Sequence, residues 1–146
     1  MMKIDKILPA LRGRSKRQLL EELARAAAQE TGIEAGVILD ALMERERLGT
    51  TGVGQGVALP HARIAGLDRL HAFFGRAVEP VPFDAIDDKP VDLFILLLAP
   101  AQANAEHLRA LAQAARLLRN KELCRQLRGA DGEEAIAALL NPRLAA

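Results

Sequence analysis

The eight residues Val91–Leu98, VDLFILLL, constrain this chain more than any other stretch. Asp92 aside, they are continuously apolar and lack the alternation that a strand with one wet face would carry. A run this short, closed by Pro100, reads as a central strand covered on both faces. Such a strand needs one layer above it and another below, and the flanking sequence supplies helical periodicity for both.

Ser15 has the character of an N-cap for a helix over about Lys16–Gln29. Leu19, Leu20, Leu23, Ala26 and Ala27 form its apolar stripe, and Gly32 ends it. A second helix is expected over Glu34–Leu48, with Val37, Ile38, Ala41 and Leu42 buried and Glu44–Arg47 as a solvated last turn. Asn104 is the expected N-cap of a helix over Ala105–Arg119, with Leu108, Leu111, Ala112, Ala115 and Leu118 facing inward. Short helices over Lys121–Leu127 and Gly132–Leu140 end before Asn141-Pro142.

Three further strands are expected: Ile7–Leu11, confined to an edge by Pro9, then Val57–Leu59 and His71–Val78. Glu79–Pro90, with three prolines, reads as a loop. The fold class that follows is α/β: a single three-layer domain over residues 1–146, core about 4–140, with a small mixed β-sheet and helices on both faces.

Composition removes several function classes. Lys+Arg 20 against Asp+Glu 19 gives a net charge of +1, which offers no case for nucleic acid or a membrane surface. Four Phe, with no Trp or Tyr, leave little for base stacking. The longest apolar run is far too short to span a bilayer, and the start MMKIDKILPALRGR has no signal-peptide pattern. Cys124 is alone, so no internal disulfide forms; a cytoplasmic protein in which Cys124 packs rather than reacts is expected.

Chemistry concentrates in Glu44–Arg63, ERERLGTTGVGQGVALPHAR. Gly49, Gly52, Gly54 and Gly56 allow positive φ and close approach, and Pro60 stiffens the backbone before His61. A nucleotide phosphate loop would need Lys-Ser/Thr after its last glycine, where Val57-Ala58 stands. Alternating glycines do not match a dinucleotide fingerprint, and no second His or Cys is near enough for a metal site. Covalent chemistry at the His61 ring and a structural histidine both remain open. His107, in the first turn of its helix, sits where an anion would be favoured or where an imidazole merely caps the helix. His71 carries no partner signal and is assigned no direct role.

The run RERLGTTGVGQGVALPH resembles the active-site region of the phosphotransferase-system enzyme IIA proteins of the fructose/mannitol type, closest to their nitrogen-regulatory branch. FDAIDDKPVDL and HLRALAQAARLLRNKELCRQLR match the same pattern. The matches cover most of Glu44–Arg128, with weaker similarity in the helix after Ser15. The first strand has a shorter lead-in than in many members, and Ala62 stands where glycine is frequent.

The resemblance implies a phosphocarrier that accepts a phosphoryl group from the phosphohistidine of HPr or its nitrogen-branch counterpart (NPr) and regulates target proteins. It implies His61 as phosphoacceptor, His107 and Arg45 as catalytic partners, and Thr51 as a phosphate contact, with no cofactor or metal. Transfer between imidazoles needs in-line positioning and relief of charge on phosphoryl oxygens, and each contact of that kind is worth about 2–4 kcal/mol. Two alternatives stand beside it: a sugar-specific IIA component serving a fructose/mannitol-type permease, and a non-catalytic module that only holds an anion or a partner.

Overall fold

A computed structural model describes residues 2–145. Six strands and five helices follow one another as β1 (Lys6–Leu11), α1 (Lys16–Thr31), α2 (Ala35–Arg47), β2 (Gly52–Gly54), β3 (Val57–Ala58), β4 (His61–Ile64), β5 (His71–Val81), β6 (Val91–Pro100), α3 (Asn104–Arg119), α4 (Lys121–Gly129) and α5 (Glu133–Ala145). The strands form one mixed sheet in the order β1-β5-β6-β3-β2, with β4 also on β6. β5 runs antiparallel to β6, whereas β1 is parallel to β5 and both β3 and β4 are parallel to β6.

The apolar strand β6 is the centre of this arrangement because both its faces are covered. Phe94, Leu96 and Leu98 join the core beneath α1 and α2, while Leu93, Ile95 and Leu97 join a second core beneath α3, α4 and α5. Burying each such side chain contributes about 1.5–3 kcal/mol. The expected three layers, mixed sheet and edge position of the first strand are all present.

β3 and β4 pair one after the other along the same side of β6. Val57 and Ala58 pair with Leu93 and Phe94, and His61–Ile64 pair with Leu97–Pro100. Pro60 supplies no N–H, but its carbonyl accepts the Leu97 N–H at 3.0 Å, so pairing passes through the break. The first residue after this interruption is His61.

Several local expectations are corrected. Among the described residues there are six strands, not four: the glycine stretch folds into a hairpin, β2 to β3, turning at Gln55 and Gly56 with φ of 60° and 80°. Two positive φ angles are what a two-residue hairpin turn with strand-compatible twist demands. β5 continues through Pro80 to Val81, with the register shifting between Arg76 and Val81. An irregular strand end tolerates a residue without an N–H. α5 runs past Pro142, because Leu144 in its last turn is buried in the core.

Two helix faces also differ. Val37 on α2 is half exposed, while Ile38 and Leu42 are buried. On α3 the inward face is His107, Ala110, Ala114, Leu117 and Leu118, and Leu108 is 64% exposed. The face is turned from the leucine-rich stripe by about one residue, which seats small alanines over the bulky β6 and carries His107 inward. Asn104 lies inside α3, and Ala103 at its N-cap makes no side-chain cap. Ser15, by contrast, caps α1 as expected, its Oγ accepting the Gln18 N–H at 3.1 Å.

Candidate functional site

His61 opens β4, and its orientation follows from strand alternation. Ala62 and Ile64 enter the core beneath α1 and α2, so His61 projects from the opposite face, towards α3. There its ring meets that of His107 edge-on, with centroids 5.4 Å apart and planes at 75°. The Nδ1 of His61 lies 2.8 Å from the Leu59 carbonyl, which accepts only a hydrogen. That contact makes Nδ1 the protonated nitrogen of the neutral ring and leaves the lone pair on Nε2.

Arg45, in the last turn of α2, donates Nε–H to that Nε2 over 3.2 Å and Nη1–H to the Gly49 carbonyl over 2.9 Å. α2 ends at Arg47, and Gly49, with φ of 145°, turns the chain so that its carbonyl can fasten the guanidinium. Arg45, His61 and His107 thus share one place, although 62 residues separate the first from the last (107 − 45).

Burial sets the protonation of both rings. Desolvation holds His61 below the usual imidazole value, helped by Arg45 and opposed by its bond to Leu59 and by Glu46. His107 is pushed down to about 4, first by desolvation, then by His61 and Arg63. His107 is buried, and its Nε2 has no hydrogen-bond partner. A buried polar nitrogen without a partner is costly, so the site carries an unspent hydrogen-bonding group beside the His61 ring.

Thr51 is buried, and its hydroxyl is given to the Glu46 carboxylate, which also accepts the Thr51 N–H at 3.1 Å. Glu46 is the residue that sequence reasoning missed. Expected on a solvated turn, it is only 9% exposed and is paired with Lys16, whose Nζ lies 2.8 Å from Oε1. The charged run ERER gave no sign of it, because a helix turn buries one of four such residues only when a partner element arrives. Arg63, two residues on from His61 in β4, is a second unanticipated cation near His107.

Cys124 and His71 stay apart from this chemistry. The Cys124 thiol is buried, donates to the Leu118 carbonyl at 3.2 Å and is pushed up by desolvation, so it packs. His71 sits beside Asp5 on the opposite side of β6 from His61, pairing with Leu98. Among the described residues no three His, Cys, Asp or Glu side chains converge as a metal site.

Residues 1–142 match the family model described as "Phosphoenolpyruvate-dependent sugar phosphotransferase system, EIIA 2". The chain belongs to this family. An EIIA 2 chain is a component of phosphoryl-group transfer through histidine. The nitrogen regulatory protein of Bradyrhizobium diazoefficiens is 46% identical over 136 residues, covering 93% of this chain and 89% of that protein. Nitrogen regulatory protein IIA-Ntr from Neisseria meningitidis superposes with a TM-score of 0.86 at 38% identity, over 92% of each chain. The mannitol enzyme IIA of Escherichia coli, solved in complex with phosphorylated enzyme IIB, shares the fold at a TM-score of 0.79 and 16% identity. That superposition covers 97% of this chain and 98% of the other. No helix among the described residues is long and apolar enough to cross a membrane.

Proposed function

We propose that this EIIA 2 chain is a nitrogen-type phosphocarrier that takes a phosphoryl group on Nε2 of His61 from the phosphohistidine of an HPr- or NPr-like carrier. The observation that carries the reading is the division of labour on one ring: Nδ1 bound to the Leu59 carbonyl, Nε2 facing Arg45. Burial keeps the imidazole neutral at physiological pH, hence nucleophilic.

In the transfer, the Nε2–P bond forms as the carrier's N–P bond breaks, and the departing electron pair stays on the carrier's nitrogen. The phosphorylated ring gains positive character, which the Nδ1–H bond to the Leu59 carbonyl relieves. Arg45 turns from Nε2 to the phosphoryl oxygens, and His107 offers its unpartnered Nε2 to the same oxygens once protonated there. Thr51 enters through the strand it anchors, its hydroxyl being engaged by Glu46. Leu48, 85% exposed just past Arg45's helix, and the exposed Leu108 beside His107 supply apolar area for a transient carrier contact.

The nitrogen-regulatory assignment, with control of target proteins as the output, is supported by the nitrogen regulatory relatives that match nine-tenths of the chain. Incubation with a carrier whose phosphohistidine bears the label is expected to give an acid-labile adduct on wild type and none on His61→Ala. Label retained by His61→Ala would overturn the assignment.

A further inference from the structure

Consecutive residues of α2 address the two nitrogens of His61. Arg45 reaches Nε2 directly. Glu46 reaches Nδ1 through the backbone of two residues, Thr51 and Leu59. Its carboxylate accepts the Thr51 N–H at 3.1 Å and the Thr51 hydroxyl; the Thr51 carbonyl accepts the Leu59 N–H at 3.0 Å; the Leu59 carbonyl takes Nδ1 of His61 at 2.8 Å.

Behind Glu46 stands Lys16, in the first turn of α1. Its Nζ lies 2.8 Å from Glu46, 3.8 Å from Asp84 and 4.8 Å from the centre of the Phe83 ring. The Glu46 side chain is only 4% exposed. A carboxylate taken out of water must be paired and hydrogen-bonded, and here every side-chain partner belongs to this one chain of contacts.

Leu59 is the link that needs holding. It lies between β3 and β4, outside both strands, and the next residue is a proline with no N–H to fix that peptide plane. Its own N–H, on the preceding peptide, is held by the Thr51 carbonyl, so the place from which its carbonyl projects depends on where Thr51 sits. We propose that Lys16, Glu46 and Thr51 are positioning residues, a buried relay that holds the Leu59 carbonyl on Nδ1 and keeps His61 in the tautomer whose lone pair is on Nε2. The ring nitrogen that carries the proton is set by the bond the other nitrogen makes, and this relay fixes that bond from Thr51 and Glu46, 10 and 15 residues before His61.

The functional meaning rests on His61 being the phosphoacceptor, but the tautomer is read on unphosphorylated protein. The charged and titratable groups around the ring are Arg45 and Glu46 from α2, His107 from α3, and Arg63 of β4, which acts on His107. Glu46 raises the affinity of His61 for its proton, against burial and Arg45. Loss of that charge lowers the His61 titration midpoint further. Mere loosening of the site would move it the other way, towards the solvent value, so the two causes separate by sign.

The experiment uses ¹⁵N-imidazole NMR at neutral pH on wild type, Thr51→Val, Thr51→Ser and Glu46→Gln, with phosphoryl uptake from a phosphorylated carrier measured alongside. Thr51→Val and Glu46→Gln are expected to populate the Nε2–H form and slow uptake roughly tenfold, the lower end of what loss of an outer-shell partner costs a metal-ligating histidine. Thr51→Ser, which keeps the hydroxyl, is expected to restore both. The relay is overturned if folded Thr51→Val keeps the wild-type tautomer, whether or not uptake slows; that variant decides the matter even where Glu46→Gln does not fold. A tautomer shift in a protein whose wild type takes no label would sustain the relay and remove the phosphocarrier reading instead.

Discussion

Arg45 and His61 are joined by an Nε–H to Nε2 hydrogen bond of 3.2 Å, and the guanidinium that makes it is fastened at its other end to the Gly49 carbonyl. The cation therefore faces Nε2 with a fixed orientation. Lysine carries the same charge on a flexible stem and cannot make both contacts at those angles. Arg45→Lys is expected to slow phosphoryl uptake by roughly tenfold and Arg45→Met by roughly a hundredfold or more, on the scale of losing one preorganised donor. Single-turnover uptake of label is the measurement, and equal rates for Arg45→Met and wild type would exclude the role.

The sheet that carries His61 depends on β6. Phe94 is fully buried and meets Phe83 edge-on with centroids 5.6 Å apart, tying the 82–90 loop to the core. Phe94→Ala is expected to destabilise the protein by about 3–5 kcal/mol in urea unfolding. Val78→Ala, at an exposed position of β5, is expected to stay within about 0.5 kcal/mol of wild type.

The central strand and the layering were legible because each rests on local signals: an unbroken apolar run, and helical stripes with caps. The inward face of α3 was not legible, since Leu108 outranks Ala110 in hydrophobicity. Only the proximity of β6 decides that the smaller residue goes inside. The burial of Glu46 was hidden for the same reason, depending on Lys16 from a different helix. β2 and its turn into β3 were read as loop because the turn uses Gln55 at positive φ, where a more typical turn residue would have declared it.

That turn gives a prediction of its own. Gly56 has φ of 80°, and a Cβ placed there would lie 2.6 Å from Nη2 of Arg128 and 3.2 Å from Oδ1 of Asp92. The Arg128 guanidinium binds the Asp92 carboxylate and the Gln55 carbonyl, so the added methyl disturbs the clamp as well as the backbone. Gly56→Ala is expected to cost about 1–3 kcal/mol in urea unfolding. Gly129→Ala, at the end of α4 with no atom within 4 Å of the new Cβ, is expected to cost nothing measurable or to stabilise slightly.

His107 makes acid stability a report on the site. Its folded-state pKa is pushed down to about 4, against 6.5 for an ordinary imidazole. Between those values the unfolded chain binds a proton that the folded chain does not, so stability rises with pH across the window. The contribution is complete above about pH 6.5 and is lost as the pH falls towards 4. Its upper bound is about 3.4 kcal/mol, from a difference of 2.5 (6.5 − 4) at about 1.36 kcal/mol each, reduced by whatever water the open side of the site admits. His61 and His71 are lowered too, mainly by burial, and add slope of the same sign. His107→Gln keeps a polar side chain of similar size without the titration, so its urea midpoint should fall less between pH 7 and pH 4 than that of wild type. A variant losing stability as steeply as wild type over that range would show that the imidazole takes up its proton in the folded site without penalty, and that burial does not hold it neutral.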